Sequence, residues 1–134
     1  MLVLGGSSET HNVNKGAFQE LDAISLLTPH TKIAIRPPSP DHIQTFIADA
    51  YRTALFGRPG PGFVDLPADY IRGTFDVEAQ EVWRPTEIPR AAAPKEKIQY
   101  VAHLLKTAKA PLIVLGKGAA YAQAESQIRT LITR

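Results

Sequence analysis

No cysteine occurs among the 134 residues, which excludes a disulfide framework and thiolate chemistry. No apolar run approaches the roughly 18 residues that a membrane-spanning helix needs. Met1 to Gly5 has no basic segment before its short apolar stretch, so it does not read as a signal peptide, and the chain does not end on Ser-Lys-Leu. Low-complexity runs are absent. The imbalance of 15 basic over 13 acidic residues leaves a formal charge of +2, and the basic residues are scattered, so a nucleic-acid partner is not expected. No Gly-x-Ser-x-Gly elbow or Walker loop is present, and Ser7 and Ser8 have no base that can be paired with them. His11, His30, His42 and His103 are too scattered for metal-ligand spacing.

What is there is an ordinary globular composition, 44% hydrophobic and 21% charged. Met1 to Leu4 reads as a strand buried on both faces in a parallel sheet, ended by the turn cluster Gly5-Gly6-Ser7-Ser8. A domain rarely opens on such a strand, so further chain upstream is expected. A short helix is expected over Phe18 to Leu27, and a strand over Lys32 to Arg36. Ser39 can cap a helix with Pro40 at its first position. Ile43, Phe46, Ile47, Ala50, Tyr51 and Ala54 then form one apolar face. Gly57 ends that helix, and Phe63 to Leu66 is a strand closed by Pro67. Strand, helix, strand is a right-handed βαβ unit, so the fold class is α/β.

From Gly73 onward, Pro85, Pro89 and Pro94 punctuate a charged stretch without period, which reads as a linker between domains. A long surface excursion within one domain is the other reading. Beyond it, Ile98, Val101, Ala102, Leu105 and Ala108 mark a helical face, and Leu112 to Leu115 a strand. A last helix carries Tyr121, Ala124, Ile128, Leu131 and Ile132 inward. Helix, strand and helix do not close a sheet, so this end too reads as part of something longer.

Gly116-Lys117-Gly118-Ala119-Ala120-Tyr121-Ala122 stands where a dinucleotide fingerprint would, with Lys117 as a fixed positive charge. Tyr121 occupies the place of the third glycine, so a phosphate-binding turn and a merely tight turn both remain open. Arg58 in Gly57-Arg58-Pro59-Gly60 is either a phosphate grip or a cation at a helix C-terminus. Asp65 stands at a strand end, where α/β sites gather, or it caps the segment Ala68 to Arg72.

Taken in order, Gly5-Gly6-Ser7-Ser8-Glu9, Gly16 to Asp22, Gly57 to Gly60, Val64 to Ala68 and Gly116 to Ala122 resemble one family. It is the thiamine-diphosphate-dependent family of 2-hydroxyacyl-CoA lyases and oxalyl-CoA decarboxylases. The resemblance implies that residues 1–72 are the later part of a pyrimidine-binding domain, 73–93 a linker, and 94–134 the opening of a central Rossmann-like domain. It implies that Phe18 and Gln19 lie near the reacting centre, and that Arg58 and Lys117 contact the phosphates of a nucleotide or CoA. The parent enzyme would use thiamine diphosphate and Mg2+, form homo-oligomers, and cleave a 2-hydroxyacyl-CoA to formyl-CoA and an aldehyde. In fatty acid α-oxidation that reaction is peroxisomal; a cytoplasmic setting is the alternative, and this chain does not decide the compartment. Gly16-Ala17-Phe18-Gln19 favours the lyase branch over the decarboxylase. The family's cofactor-activating glutamate and magnesium motif have no counterpart in the 134 residues. The expectation is therefore a fragment inactive alone, binding neither cofactor tightly. A CoA- or ADP-binding module and a non-functional truncated product are the other classes.

Overall fold

The protein is described by a computed structural model covering residues 1–76, 83–88 and 92–133. It divides into two compact units, Met1–Ile88 and Pro89–Arg134. The first holds a three-stranded parallel sheet of β1 (Leu2–Ser7), β2 (Ile33–Ile35) and β3 (Gly62–Pro67), in the order β1-β3-β2. Helices α1 (Ala23–Leu27), α2 (Ile43–Leu55) and α3 (Ala68–Arg72) accompany it.

The expected βαβ unit forms: β2 and β3 lie side by side with α2 as their connection. Its core is small and built on close approach. Ala48, Ala50, Ala54, Phe63 and Val64 are its buried apolar residues. Gly62 explains the tightness, since a Cβ there would stand 3.2 Å from the Ala50 carbonyl oxygen. Ala50 and Ala54 lie on the apolar face read from the sequence, whereas Ala48 was not in it.

β1 departs from expectation in two ways. It continues through Gly5 and Gly6 to Ser7, because its register with β3 runs unbroken from Leu2↔Gly62 to Ser7↔Pro67. Gly5 is no turn residue: a Cβ there would lie 2.6 Å from the Phe63 ring, so the missing side chain lets that ring pack across the strand. β1 is also an edge strand of the sheet, with Leu4 half exposed, rather than buried on both faces.

The helix expected from Phe18 is shorter and begins at Ala23. Asp22 caps it by accepting from the Ser25 amide at 3.0 Å, and Gln19 has φ 63°, which no α-helix accommodates. The Glu20 carboxylate meanwhile accepts from the amides of Asn14 and Ala17, closing a loop instead. Before α2, Pro40–His42 is a 3-10 turn, and Ser39 Oγ bonds the His42 ring at 2.8 Å rather than a backbone amide.

Part of the stretch expected as a linker, residues 77–82 and 89–91, lies outside the described residues. Within it, Trp83 packs edge-on against Tyr51 of α2 at 5.5 Å, with Arg52 6.0 Å over its ring. The second unit contains α4 (Lys95–Thr107), α5 (Lys117–Tyr121) and α6 (Glu125–Ile132). The last two replace the single expected helix, broken at Gln123 with φ 51°. Leu112 to Leu115 is not a strand. With no strand partner among the described residues it makes no ladder, and Leu112 and Val114 are 87% and 84% exposed. Apolar content alone does not hold a strand; it needs backbone partners.

Candidate functional site

Three parallel strands present their carboxyl ends together in the first unit, the edge at which open α/β sheets bind ligands. One face of that edge is polar inside. Side chains alternate along a strand, and the register sets Gly5 beside Asp65, Ser7 beside Pro67 and Ile35 beside Val64. Continued by one residue, it brings Arg36 beside Asp65. Arg36 Nε donates to Asp65 Oδ2 at 2.7 Å, and Nη2 of the same guanidinium pairs with that oxygen. Asp65 is 1% exposed, so its charge is kept inside by this pair. Asp65 keeps its place near the end of β3, but it does not cap α3: its Oδ2 is taken up by Arg36, and its Oδ1 has no hydrogen-bond partner among the described residues. The useful signal in the sequence was Arg36 at the end of β2, an arginine one residue beyond an apolar strand.

A loop rises from the end of β1. The Ser8 amide donates to the Gln19 carbonyl at 3.3 Å, which holds Phe18 and Gln19 beside the strand end. Phe18 is 89% exposed, and Gln19 holds its left-handed backbone there. A non-glycine residue with positive φ is a local strain that the surroundings must sustain. Here the brace is the Glu20 carboxylate, whose affinity for protons is lowered by the backbone amides of Asn14 and Ala17. Thr10 in the same region donates from its amide to Asp69 at 3.1 Å and from its hydroxyl at 2.5 Å. Burial opposes ionisation of Asp69, but these two donors outweigh it and its pKa is lowered.

Arg58 is exposed on the tight connection after α2 and has no ion pair among the described residues. The cation that meets the C-terminal end of α2 is Lys32, whose Nζ donates to the Phe56 carbonyl at 2.5 Å. Lys117 opens α5 in the second unit and is exposed as well. Arg58 and Lys117 thus belong to different units. Beside the Gly116 turn an open groove of about 470 Å³ is lined by Leu115, Ala119, Ile128, Arg129 and Ile132 among others. No trio of His, Asp or Glu side chains comes together as metal donors among the described residues.

No family model matches the chain. Individual proteins do. It is 38% identical over 133 residues to human 2-hydroxyacyl-CoA lyase 1, a match covering 98% of this chain and 23% of that protein. To oxalyl-CoA decarboxylase of Escherichia coli K12 it is 37% identical over 138 residues, 98% of this chain and 24% of the relative. The lyase of Arabidopsis thaliana is 32% identical over a similar span. Among solved structures, benzoylformate decarboxylase from Polynucleobacter necessarius superposes with a TM-score of 0.78 over 92% of this chain at 24% identity, a likeness of fold. The chain spans about a quarter of the length of the curated relatives it matches. Across that quarter, the homologues of this chain are 2-hydroxyacyl-CoA lyases and oxalyl-CoA decarboxylases.

Proposed function

We propose that these 134 residues are a segment of a thiamine-diphosphate-dependent lyase that cleaves 2-hydroxyacyl-CoA to formyl-CoA and an aldehyde, and that the segment alone does not turn over. The observation that carries the reading is identity to the human lyase sustained over 98% of the chain. Residues 1–72 form the later part of the pyrimidine-binding domain, 73–93 the linker and 94–134 the start of the central Rossmann-like domain.

The described residues fit one half of a cofactor pocket. An exposed aromatic ring and an amide, Phe18 and Gln19, stand at the carboxyl edge of a parallel sheet, suited to line a ring-shaped ligand. In this reading the magnesium ion and the diphosphate are held by other parts of the whole enzyme, and the segment alone binds neither cofactor tightly. Bound in the whole enzyme, thiamine diphosphate supplies the carbon–carbon bond-breaking chemistry. The part of Phe18 is to exclude water from one side, and that of Gln19 to orient a polar group of the substrate through its side-chain amide. Arg58 and Lys117 are exposed cations suited to CoA or nucleotide phosphates. The parent enzyme is a homo-oligomer, peroxisomal in the manner of α-oxidation, or cytoplasmic.

Exchange of this segment for its counterpart in the human lyase and in the bacterial oxalyl-CoA decarboxylase tests the reading. The lyase chimera is expected to release formyl-CoA from 2-hydroxyacyl-CoA. Activity confined to the decarboxylase chimera would transfer the segment to the other branch. A second class, a CoA- or ADP-binding module resting on Lys117, predicts saturable calorimetric binding by the chain itself that Lys117→Ala abolishes. Flat titrations with both ligands eliminate it. The third class, a non-functional truncated product, predicts no cooperative unfolding.

A further inference from the structure

Two buried polar atoms of the first unit have no hydrogen-bond partner among the described residues: Ser7 Oγ and Asp65 Oδ1. Ser7 is 5% exposed and Asp65 1%. They are on adjacent strands and on the same face of the sheet. Since Gly5 pairs with Asp65 and Ser7 with Pro67, Ser7 is the diagonal neighbour of Asp65. On parallel strands about 4.8 Å apart that rise about 3.3 Å per residue, diagonal positions stand about 8 Å apart. Gly5 adds no side chain between them.

A buried hydroxyl and a buried carboxylate oxygen both need a partner, and they do not meet each other. The occupant must donate to the carboxylate. It must also be neutral, because Arg36 already balances the Asp65 charge through the other oxygen. It must be small, since Pro37 and Pro67 are fully buried nearby in the chain and Phe63 fills the same face. A water molecule meets all three conditions, with two hydrogen bonds of about 2.8 Å. We propose that one internal water bridges Ser7 Oγ to Asp65 Oδ1 and ties the end of β1 to the Arg36–Asp65 pair. The consequence reaches the loop, because the residue after Ser7 supplies the amide that holds the Gln19 carbonyl. Ser7 and Asp65 are positioning residues for Gln19. The water site itself is independent of the lyase reading; only the catalytic meaning of Gln19 rests on it.

The test takes the full chain in two measurements. A crystal structure is expected to show one ordered water within hydrogen-bond distance of both atoms. A direct Ser7–Asp65 bond, or a protein donor in the water's place, overturns the proposal. Amide exchange reads the positioning: Ser7→Ala is expected to speed exchange at Ser8 about tenfold while Val64 stays protected, and Ser7→Thr to restore it. Ser8 exchange unchanged in Ser7→Ala overturns the positioning role. Should Val64 loosen as well, the crystallographic water decides alone. Lyase activity of the chimera, present or absent, leaves both readouts unaffected, so the two proposals fail separately.

Discussion

Both units are rich in apolar sequence, and they use it to opposite effect. In the first, a glycine at 62 and alanines at 48, 50 and 54 let α2 lie close on β3, and Val64 is wholly buried. In the second, α4, α5 and α6 are amphipathic by sequence, yet no described residue is buried. The difference is pairing. β1, β2 and β3 satisfy one another's backbone groups, whereas Leu112 to Leu115 makes no ladder among the described residues. Hydrophobic residues stabilise a fold only where hydrogen-bonded backbone arranges a face to bury.

Substitutions matched between the units sharpen this contrast. The largest effect is expected from Val64→Asp, which sets a charge without a partner into the core and should abolish cooperative unfolding followed by circular dichroism. Val114→Asp, at a residue 84% exposed, should change stability by no more than about 0.5 kcal/mol. A large effect at Val114 would break the comparison.

Next comes the buried ion pair, which is asymmetric. The Arg36 side chain is 36% exposed and that of Asp65 only 1%. Arg36→Ala strands a buried carboxylate and should cost about 3 kcal/mol in denaturant titration. Asp65→Ala leaves an arginine that can turn to water, so its cost should be smaller. Equal costs would argue that Asp65 is open to bulk solvent rather than buried.

A milder effect is expected from Gly5→Ala. The new methyl would press on the buried Phe63 ring, at about 1 to 3 kcal/mol. Gly116→Ala in the second unit meets nothing within 4 Å and should be close to neutral.

The smallest effect is electrostatic and, among the described residues, falls on the first unit. Glu20 has its pKa lowered by backbone amides and Asp22 by Ser25; for Asp69 burial raises the pKa, but the Thr10 donors together outweigh it and lower the value. A carboxylate whose folded pKa lies below its unfolded value stabilises the fold above the unfolded pKa. That contribution is lost as pH falls through the folded pKa. The melting temperature should therefore hold through neutral pH and decline below about pH 4. Thr10→Val should flatten part of that decline.

The elements of the first unit were largely legible because short-range chemistry sets them. Ser39-Pro40 and Gly57 bracket the α2 region, and Pro67 closes β3. What escaped depends on neighbours distant in sequence. The reach of β1 through Gly5-Gly6 follows from Phe63, and the role of Asp65 follows from Arg36, 29 residues away. Phe18 and Gln19 were singled out by resemblance. Their place at the strand end is fixed by a backbone bond from Ser8, and residue type gives no hint of such a bond. The strand expected at Leu112 to Leu115 shows the limit from the other side, because an apolar run reports a capacity for pairing and not the pairing itself.

Residue-resolved hydrogen exchange on the full chain puts the contrast to its most direct test. The account predicts strong protection at Ile35 and Val64 and nearly free exchange across Leu112 to Leu115. Comparable protection in both places would contradict it.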